Sequence, residues 1–403
     1  MRTAYKCRAY PDPDQATSLN RTFGCVRVVW NLTLAARQTR WATERRGTSY
    51  RETDAALTAM KRSPELAWLN EVSSVPLQQT LRHQHAAFRA FFAGRARYPR
   101  FKSRRGRQVA HYTRSAFRWR DGRLWLAKTS SPLRLVWSWP NIDPATLTPT
   151  SVTVARDPCG RWYVSLHVEV PAPAPLPKTG RAVGIDLGLI DFAVISDGRR
   201  IPNPRHLQRR SANLARYQRR MARKRRGSAN RRKAAAKVAR AHRKVRAARA
   251  DFLHRTSTRL VRDHDVIVIE DLNVRGLVRN RPLAQAISDT GWGTFRAMLA
   301  YKAERAGRRL VVIDRWYPSS KTCSACGYRL ATLGMGARHW QCPSCGARHD
   351  RDLNAAKNIL AAGRAVAACG ADFSHAGSPG VQSAVKQELP PVTEGIPVLR
   401  GRK

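Results

Sequence analysis

Acidic residues are scarce in this chain: 27 Asp and Glu stand against 75 Lys and Arg, a formal charge of +48 over 403 residues. A folded body resists that much self-repulsion unless a polyanion neutralises it, so nucleic acid is the expected partner. Long apolar runs are missing too. No window of about 18 apolar residues could span a bilayer, and the opening stretch MRTAYKCRAYPDPDQ has no apolar core ahead of its prolines. Neither a membrane partner nor an export signal is expected, and the reading is a cytoplasmic protein. In that reducing compartment eight cysteines do not imply a disulfide framework. Cys7, Cys25, Cys159 and Cys369 are scattered and read as structural, whereas Cys323, Cys326, Cys342 and Cys345 are clustered.

The length allows two or three domains with their own cores. Behind the strand-like TAYKCRAY, a Pro-Asp-Pro-Asp segment suits helix capping, and Leu19, Phe23, Val26 and Trp30 follow at helical spacing. A second amphipathic helix, LQQTLRHQHAAFRAFF, puts Leu77, Leu81, Phe88 and Phe92 on one face. In RYPRFKSRRGRQ, Tyr98 and Phe101 are interleaved with Arg97, Arg100, Lys102, Arg104 and Arg105, a pattern in which rings stack on bases while neighbours hold phosphates. A basic loop with two packed aromatics is the alternative. From Ser151 to Val170 the period becomes two, with RDPCG as the turn, which predicts a β-hairpin. PAPAPLPKTG is a stiff linker with a domain boundary near Lys178. Beyond Cys369 apolar periodicity is lost, and residues 370–403 read as a disordered tail.

After the linker the order is a strand with Asp186, a hairpin turning on Asp197-Gly198, basic helices, strand VIVIE, helix, strand RLVVID, the cysteine cluster and a helix at HDRDLNAAKNIL. That order fits an RNase H-like α/β domain. Asp186 interrupts an apolar strand and Glu270 ends the aliphatic run Val266 to Ile269. A carboxylate placed there needs a cation or a hydrogen-bonded partner, and an arginine could serve. Joined by Asp350 or Asp352, the two acids suit another purpose. Three carboxylates on neighbouring elements can hold two Mg²⁺ ions roughly 4 Å apart for phosphodiester hydrolysis. With a helix starting near Arg351, Asp352 shares a face with Ala356 and Ile359, and Asp350 lies about 200° away, better placed to cap.

From Arg205 to Ala250 there are 19 Lys and Arg and no acid, so this segment must present its charge to an anion. Leu207, Leu214 and Met221, then Val238, Val245 and Phe252, recur every seven residues on either side of GSAN, as in a helical hairpin. The clustered cysteines follow C-x2-C-x15-C-x2-C, the spacing of a four-thiolate structural zinc site. His349 is a fifth candidate ligand that reads as a bystander.

The stretches GIDLG around Asp186, VIEDLNVRGL around Glu270, GWGTF, YPSSKTCSACG, HDRDLNAAKNI, FGCVRVVWN and PRFKS together resemble the TnpB (OrfB) family of transposon-encoded proteins. The resemblance implies an RNA-guided DNA endonuclease. Its guide RNA would derive from the transposon end, its target would be double-stranded DNA beside a short flanking motif, and it would be associated with the nucleoid of a prokaryote. It implies an α+β multidomain fold. Residues 1–30 and 118–178 would form a wedge-like β-barrel, with 31–117 as an inserted helical recognition lobe. Residues 179–318 and 348–369 would form a RuvC-like nuclease domain, with a basic hairpin over 205–260 and a zinc ribbon over 319–347. Asp186, Glu270 and Asp352 would be the catalytic Mg²⁺ ligands and the four clustered cysteines the zinc ligands. Tyr98, Arg100, Phe101, Lys102, Arg104 and Arg105, with Arg219, Arg220, Arg223, Lys224, Arg225 and Arg226, would contact nucleic acid. Rival readings are a nucleic-acid-binding regulator that no longer cuts and a transposase joining strands directly.

Overall fold

Four prolines between Pro171 and Pro177 mark where the chain passes from one compact unit, Met1–Pro171, to a second that begins at Ala172. The computed structural model describes residues 1–334 and 336–368; Cys369 and the tail expected over 370–403 lie outside the described residues. The boundary expected near Lys178 moves to the start of the proline segment. Leu176 donates its N–H to the Ala306 carbonyl (3.0 Å) and Arg308 Nη2 donates to the Pro177 carbonyl (2.7 Å), so the linker is fastened to the second unit.

The first unit runs β1 (Arg2–Tyr10), α1 (Pro13–Glu44), α2 (Tyr50–Arg62), α3 (Ser74–Phe92), β2 (Gln108–Thr113), β3 (Phe117–Arg120), β4 (Arg123–Leu126), β5 (Arg134–Val136), β6 (Pro149–Arg156) and β7 (Trp162–Glu169). Asp12 starts α1 with a capping box: its carboxylate accepts the Gln15 N–H at 2.8 Å and the Gln15 side chain accepts the Asp12 N–H at 3.2 Å. Five antiparallel strands follow the order β2-β6-β7-β1-β5, and β3 and β4 form a separate ribbon. Trp162, Val164, Leu166 and Val168 of β7 alternate into a core shared with Leu19 and Phe23 of α1. Two expectations are corrected here. Gln108–Thr113, expected within the helical segment, is a strand of this sheet, because Ala110 and Tyr112 alternate into the same core. Phe92, expected on the buried face of α3, is 75% exposed, since the helix ends there; among the described residues Phe88 and Phe91 flank its ring.

The second unit runs β8 (Ala182–Leu187), β9 (Asp191–Ile195), β10 (Arg200–Pro202), α4 (Ser211–Ala222), α5 (Ala229–Asp263), β11 (Val266–Glu270), α6 (Val274–Leu277), α7 (Arg281–Thr290), α8 (Trp292–Arg305), β12 (Arg309–Ile313), β13 (His339–Gln341), β14 (Arg348–Asp350) and α9 (Arg351–Ala368). Its sheet order is β10-β9-β8-β11-β12; β8, β11 and β12 are parallel and β9 is antiparallel to both neighbours. Both faces are covered, so the central strands are mostly aliphatic and the carboxylates sit at their C-terminal ends. Val183, Ile185, Ile267 and Ile269 pack with Leu253, Leu260, Phe295 and Leu299 of α5 and α8. Val268, Val311 and Ile313 point the other way and pack with Ile359 of α9. Helix α9 lies so close to β8 that a Cβ at Gly184 would run into the Ala356 carbonyl and stand 2.6 Å from the Leu360 nitrogen. Among the described residues, no helix is long and apolar enough to cross a membrane.

Arg348–Asp350, expected to open the last nuclease segment, is instead the second strand of the cysteine ribbon, paired with β13 in the register Trp340 to His349. Helix α9 starts at the next residue, its first N–H donating to the Arg338 carbonyl at 2.8 Å.

Candidate active site

Period-two alternation decides which residues of the central strands face α9. Val183 and Ile185 face α5 and α8, so Gly184 and Asp186 take the α9 side of β8. On β11, Val268 is on that side and so is Glu270. The parallel register aligns Val268 with Gly184 and Ile269 with Ile185, which brings Glu270 beside Asp186. The opening turn of α9 then brings Asp352 into their field. Burial, followed by the charges of Glu270 and Asp352, pushes the Asp186 carboxyl up to about 8, against the opposing pull of Arg351. Burial also raises Glu270, although the Ser319 hydroxyl donates to its Oε1 at 2.6 Å. Among the described residues, ion pairs engage Asp350 (Arg200, 2.7 Å) and Asp352 (Arg338, 3.6 Å), and none engages Asp186 or Glu270. Two half-buried carboxyls that form no ion pair among the described residues are suited to holding a metal ion. Asp350 caps instead, its Oδ1 accepting the Leu353 N–H at 2.9 Å and so closing the N-terminus of α9.

The cysteines converge, and among the described residues theirs is the group of metal-ligating side chains whose ligand atoms lie within 4.8 Å of one another. The acids do not form so tight a cage. Cys323 and Cys345 stand 3.7 Å apart at sulfur, and Cys326 and Cys342 3.6 Å. Four thiolates tetrahedral on zinc at about 2.3 Å would be separated by about 3.8 Å, so this donor set fits that ion. Despite burial, the N–H groups of Cys345 and Ser344 bring the Cys342 thiol down to about 7. His349, its ring tilted against Trp340 at 4.7 Å, holds its Nε2 3.0 Å from Cys323 Sγ, in reach of a sulfur already committed to the cluster.

Three residues join the cysteine loops to the acids, and sequence reasoning passed over all three. Asn354 donates to the Thr322 carbonyl (2.7 Å) and accepts the Ser324 N–H (2.9 Å). Asn358 donates to the Ser319 and Thr322 carbonyls at 2.8 and 2.6 Å. Ser319, fixed there, holds Glu270. The available signal was two amides four residues apart on the buried side of an otherwise apolar helix, a placement that demands partners.

The basic residues fall into two settings. Arg219, Arg220, Arg223, Lys224, Arg225 and Arg226 are all exposed around the turn between α4 and α5, where Gly227 adopts φ 85° and Ser228 caps α5. In the first unit the loop after α3 is pinned to α1. Trp30 donates to the Arg100 carbonyl (2.9 Å), Asn31 Oδ1 accepts the Lys102 N–H (2.7 Å), and the Lys102 ammonium lies 4.1 Å over the Trp30 ring. The two interleaved aromatics part company: Tyr98 packs edge-on against Phe88 and Phe91, whereas Phe101 is 54% exposed beside exposed Arg104 and Arg105.

Comparison with known proteins decides the family. A family model described as "Probable transposase" matches residues 165–281, and one described as "Cas12f1-like, TNB domain" matches residues 292–359. A Streptomyces pristinaespiralis protein named "Putative RNA-guided DNA endonuclease" is 52% identical over 402 residues, 99% of both chains. The Escherichia coli K12 protein "Putative RNA-guided DNA endonuclease InsQ" is 31% identical over 384 residues, 91% of this chain and 94% of that one. The chain belongs to the TnpB (OrfB) family.

A further model, described as "Helix-turn-helix domain", matches residues 1–46. In this TnpB-family chain that stretch is a strand followed by one unbroken helix of 32 residues. Among solved structures, the protein in the "Cryo-EM structure of the Cas12f1-sgRNA-target DNA complex" shares its α+β fold with a TM-score of 0.53 at 13% identity, covering 89% of this chain and 98% of that one.

Proposed function

We propose that this TnpB-family protein is an RNA-guided DNA endonuclease that hydrolyses phosphodiesters at a RuvC-like site formed by Asp186, Glu270 and Asp352. The observation that carries the reading is the Asp186 carboxyl, half-buried beside two further acids and raised to about 8, with no ion pair of its own among the described residues. The names of the relatives and of the solved complex support the guide RNA and the DNA target.

Magnesium bound by the three carboxylates would supply Lewis-acid stabilisation of the phosphate and a water activated for attack. The chain's own part is positioning. Ser319 holds one oxygen of Glu270 and leaves the other for the cation, while α9, fixed by Asn354 and Asn358, sets where Asp352 reaches. Zinc held by Cys323, Cys326, Cys342 and Cys345 would leave no open coordination position and would act as a brace for α9. The exposed arginines of the α4–α5 turn and the Phe101 loop would neutralise guide RNA and its duplex with DNA. The first unit would form the wedge-like and recognition parts that read a short flanking motif, and the guide would come from the transposon end.

The test is cleavage of matched double-stranded DNA in Mg²⁺ by the full chain with its co-purifying RNA. Wild type should cut, and Asp186→Ala should bind the RNA and lose at least 100-fold in rate, a conservative figure for removing a charge-stabilising group. Full cutting by Asp186→Ala would sink the proposal, and target occupancy without cuts by wild type would favour a binding regulator.

A further inference from the structure

Beside Glu270 the second unit holds a cavity of about 400 Å³ that the chemistry above leaves unused. Its walls are apolar at Leu187, Leu272, Val274 and Trp292 and basic at Arg296 and Arg315. That volume falls in the small-ligand range of roughly 300–1,000 Å³ and suits one nucleotide, not a duplex.

Three observations point to an anionic occupant, and the apolar walls leave room for a ring. Trp292 is only 5% exposed, yet its indole N–H has no acceptor among the described residues. Buried donors of that kind are rare unless something else satisfies them. Helix α8 begins at this same residue behind Gly291, which is left-handed at φ 72° and offers no capping side chain, so the first N–H groups lack a side-chain acceptor. Finally, Asp271 holds both arginines, accepting from Arg296 Nη1 on one oxygen and from Arg315 Nη2 on the other. Each guanidinium has five N–H donors, so one carboxylate orients the pair and leaves most of their donors and one net positive charge available.

We propose that this cavity is a subsite for one nucleotide of the strand being cut, with its base against Trp292, Leu272 and Val274 and its phosphate on Arg296 and Arg315. Asp271 is a positioning residue that aims the two guanidiniums. The subsite rests on the reading of Glu270 as part of the active site, because Glu270 lines the same cavity and would meet the adjoining phosphodiester.

The probe is thymidine 3′,5′-bisphosphate, one nucleotide flanked by two phosphates, titrated calorimetrically into the full-length protein in Mg²⁺. Wild type should bind it. Arg296→Gln and Arg315→Gln should bind it about 10-fold more weakly, the usual scale for a lost charge-assisted hydrogen bond. Asp271→Asn should weaken it about 5-fold with Asp271→Glu recovering most of the loss, and Trp292→Phe about 3-fold, given the smaller worth of one neutral donor. Thermal melting checks that each variant folds; if Arg296→Gln does not, Arg315→Gln, on the loop after β12, decides. In the cleavage assay the arginine variants should raise KM about 10-fold with a smaller change in kcat, as expected when ground-state binding is lost. Cutting by Asp352→Asn at the wild-type rate would remove the active-site reading itself. A dead Asp352→Asn alongside arginine variants that bind the probe and cut like wild type would overturn the subsite alone, as would a wild type that does not bind the probe.

Discussion

The second unit handles charge in opposite ways at its two most charged regions. At the start of α9, acids are half-buried, and hydrogen bonds fix the surrounding framework: Asp350 on the Leu353 N–H, Asn354 and Asn358 on the cysteine loop, Ser319 on Glu270. At the turn between α4 and α5, six basic residues stand in solvent around a glycine. Hydrolysis at one phosphate needs charges held in a fixed geometry, because a misplacement of about 1 Å can cost two orders of magnitude. Neutralising a nucleic-acid backbone needs only charge at the right density. Single substitutions should therefore be severe in the first region and graded in the second.

The largest effect is expected from separating the two aspartates that flank Arg351. Asp352→Asn should abolish cleavage, at least 100-fold, by the reasoning used for Asp186. Asp350→Asn keeps an acceptor for the Leu353 N–H and should cost less than about 10-fold, since Asn caps nearly as well as Asp. Equal losses in two variants that melt alike would erase the distinction between catalyst and cap. Next in size is Gly184→Ala. The added methyl meets the backbone of α9 and must push the helix away from β8, so it should lower cleavage more than about 10-fold while RNA binding stays intact. A Gly184→Ala protein that cuts normally would mean that the separation of Asp186 from α9 does not matter.

The two regions also differ in how much of them is legible in the sequence. The aliphatic run in VIVIE, the apolar strand that Asp186 interrupts, and helical geometry from Arg351 are enough to put Asp186, Glu270 and Asp352 on strands and a helix start. One-sign charge and a GSAN break are enough for the α4–α5 hairpin. What stays hidden depends on partners distant in sequence. Asn354 and Asn358 donate to backbone carbonyls of the Ser319–Thr322 loop and the Ser319 hydroxyl donates to Glu270, and no local pattern announces such a partner. Asp271 looks like one more acid after a strand until the fold brings Arg296 and Arg315 to it. Gln108–Thr113 is hidden differently: only Ala110 and Tyr112 alternate fully inward, beside an arginine-rich loop whose composition dominates the reading.

Asp186 also links the fixed region to stability, with a sign that can be worked out. Its carboxyl titrates near 8 in the metal-free fold, against 3.8 for the ordinary group. Between those values the native state keeps a proton that the unfolded chain has released. Its contribution is therefore full below about pH 4 and is lost as pH rises through 8. In chelator, wild type should lose melting temperature relative to Asp186→Asn as pH rises from 5 to 8, since the variant has no such proton to release. Magnesium should reverse the ranking by stabilising wild type and leaving the variant unmoved. Parallel melting curves in both buffers would show that burial of Asp186 carries no such cost.

The smallest effect should come from the exposed turn. Arg223→Ala with Arg225→Ala removes two charges that form no ion pair with the rest of the chain among the described residues. Each phosphate left without its arginine should flatten the dependence of log binding constant on log salt by about 0.7–0.9. RNA affinity at low salt should therefore fall only several-fold, with a slope reduced by roughly 1.5, and the cutting rate of the assembled complex should not change. The slope is the decisive readout, because misfolding would lower affinity without reporting how many counterions are released. A double variant whose affinity falls with an unchanged slope would mean that these arginines hold a shape, as the acids' surroundings do, and the contrast between the two regions would collapse.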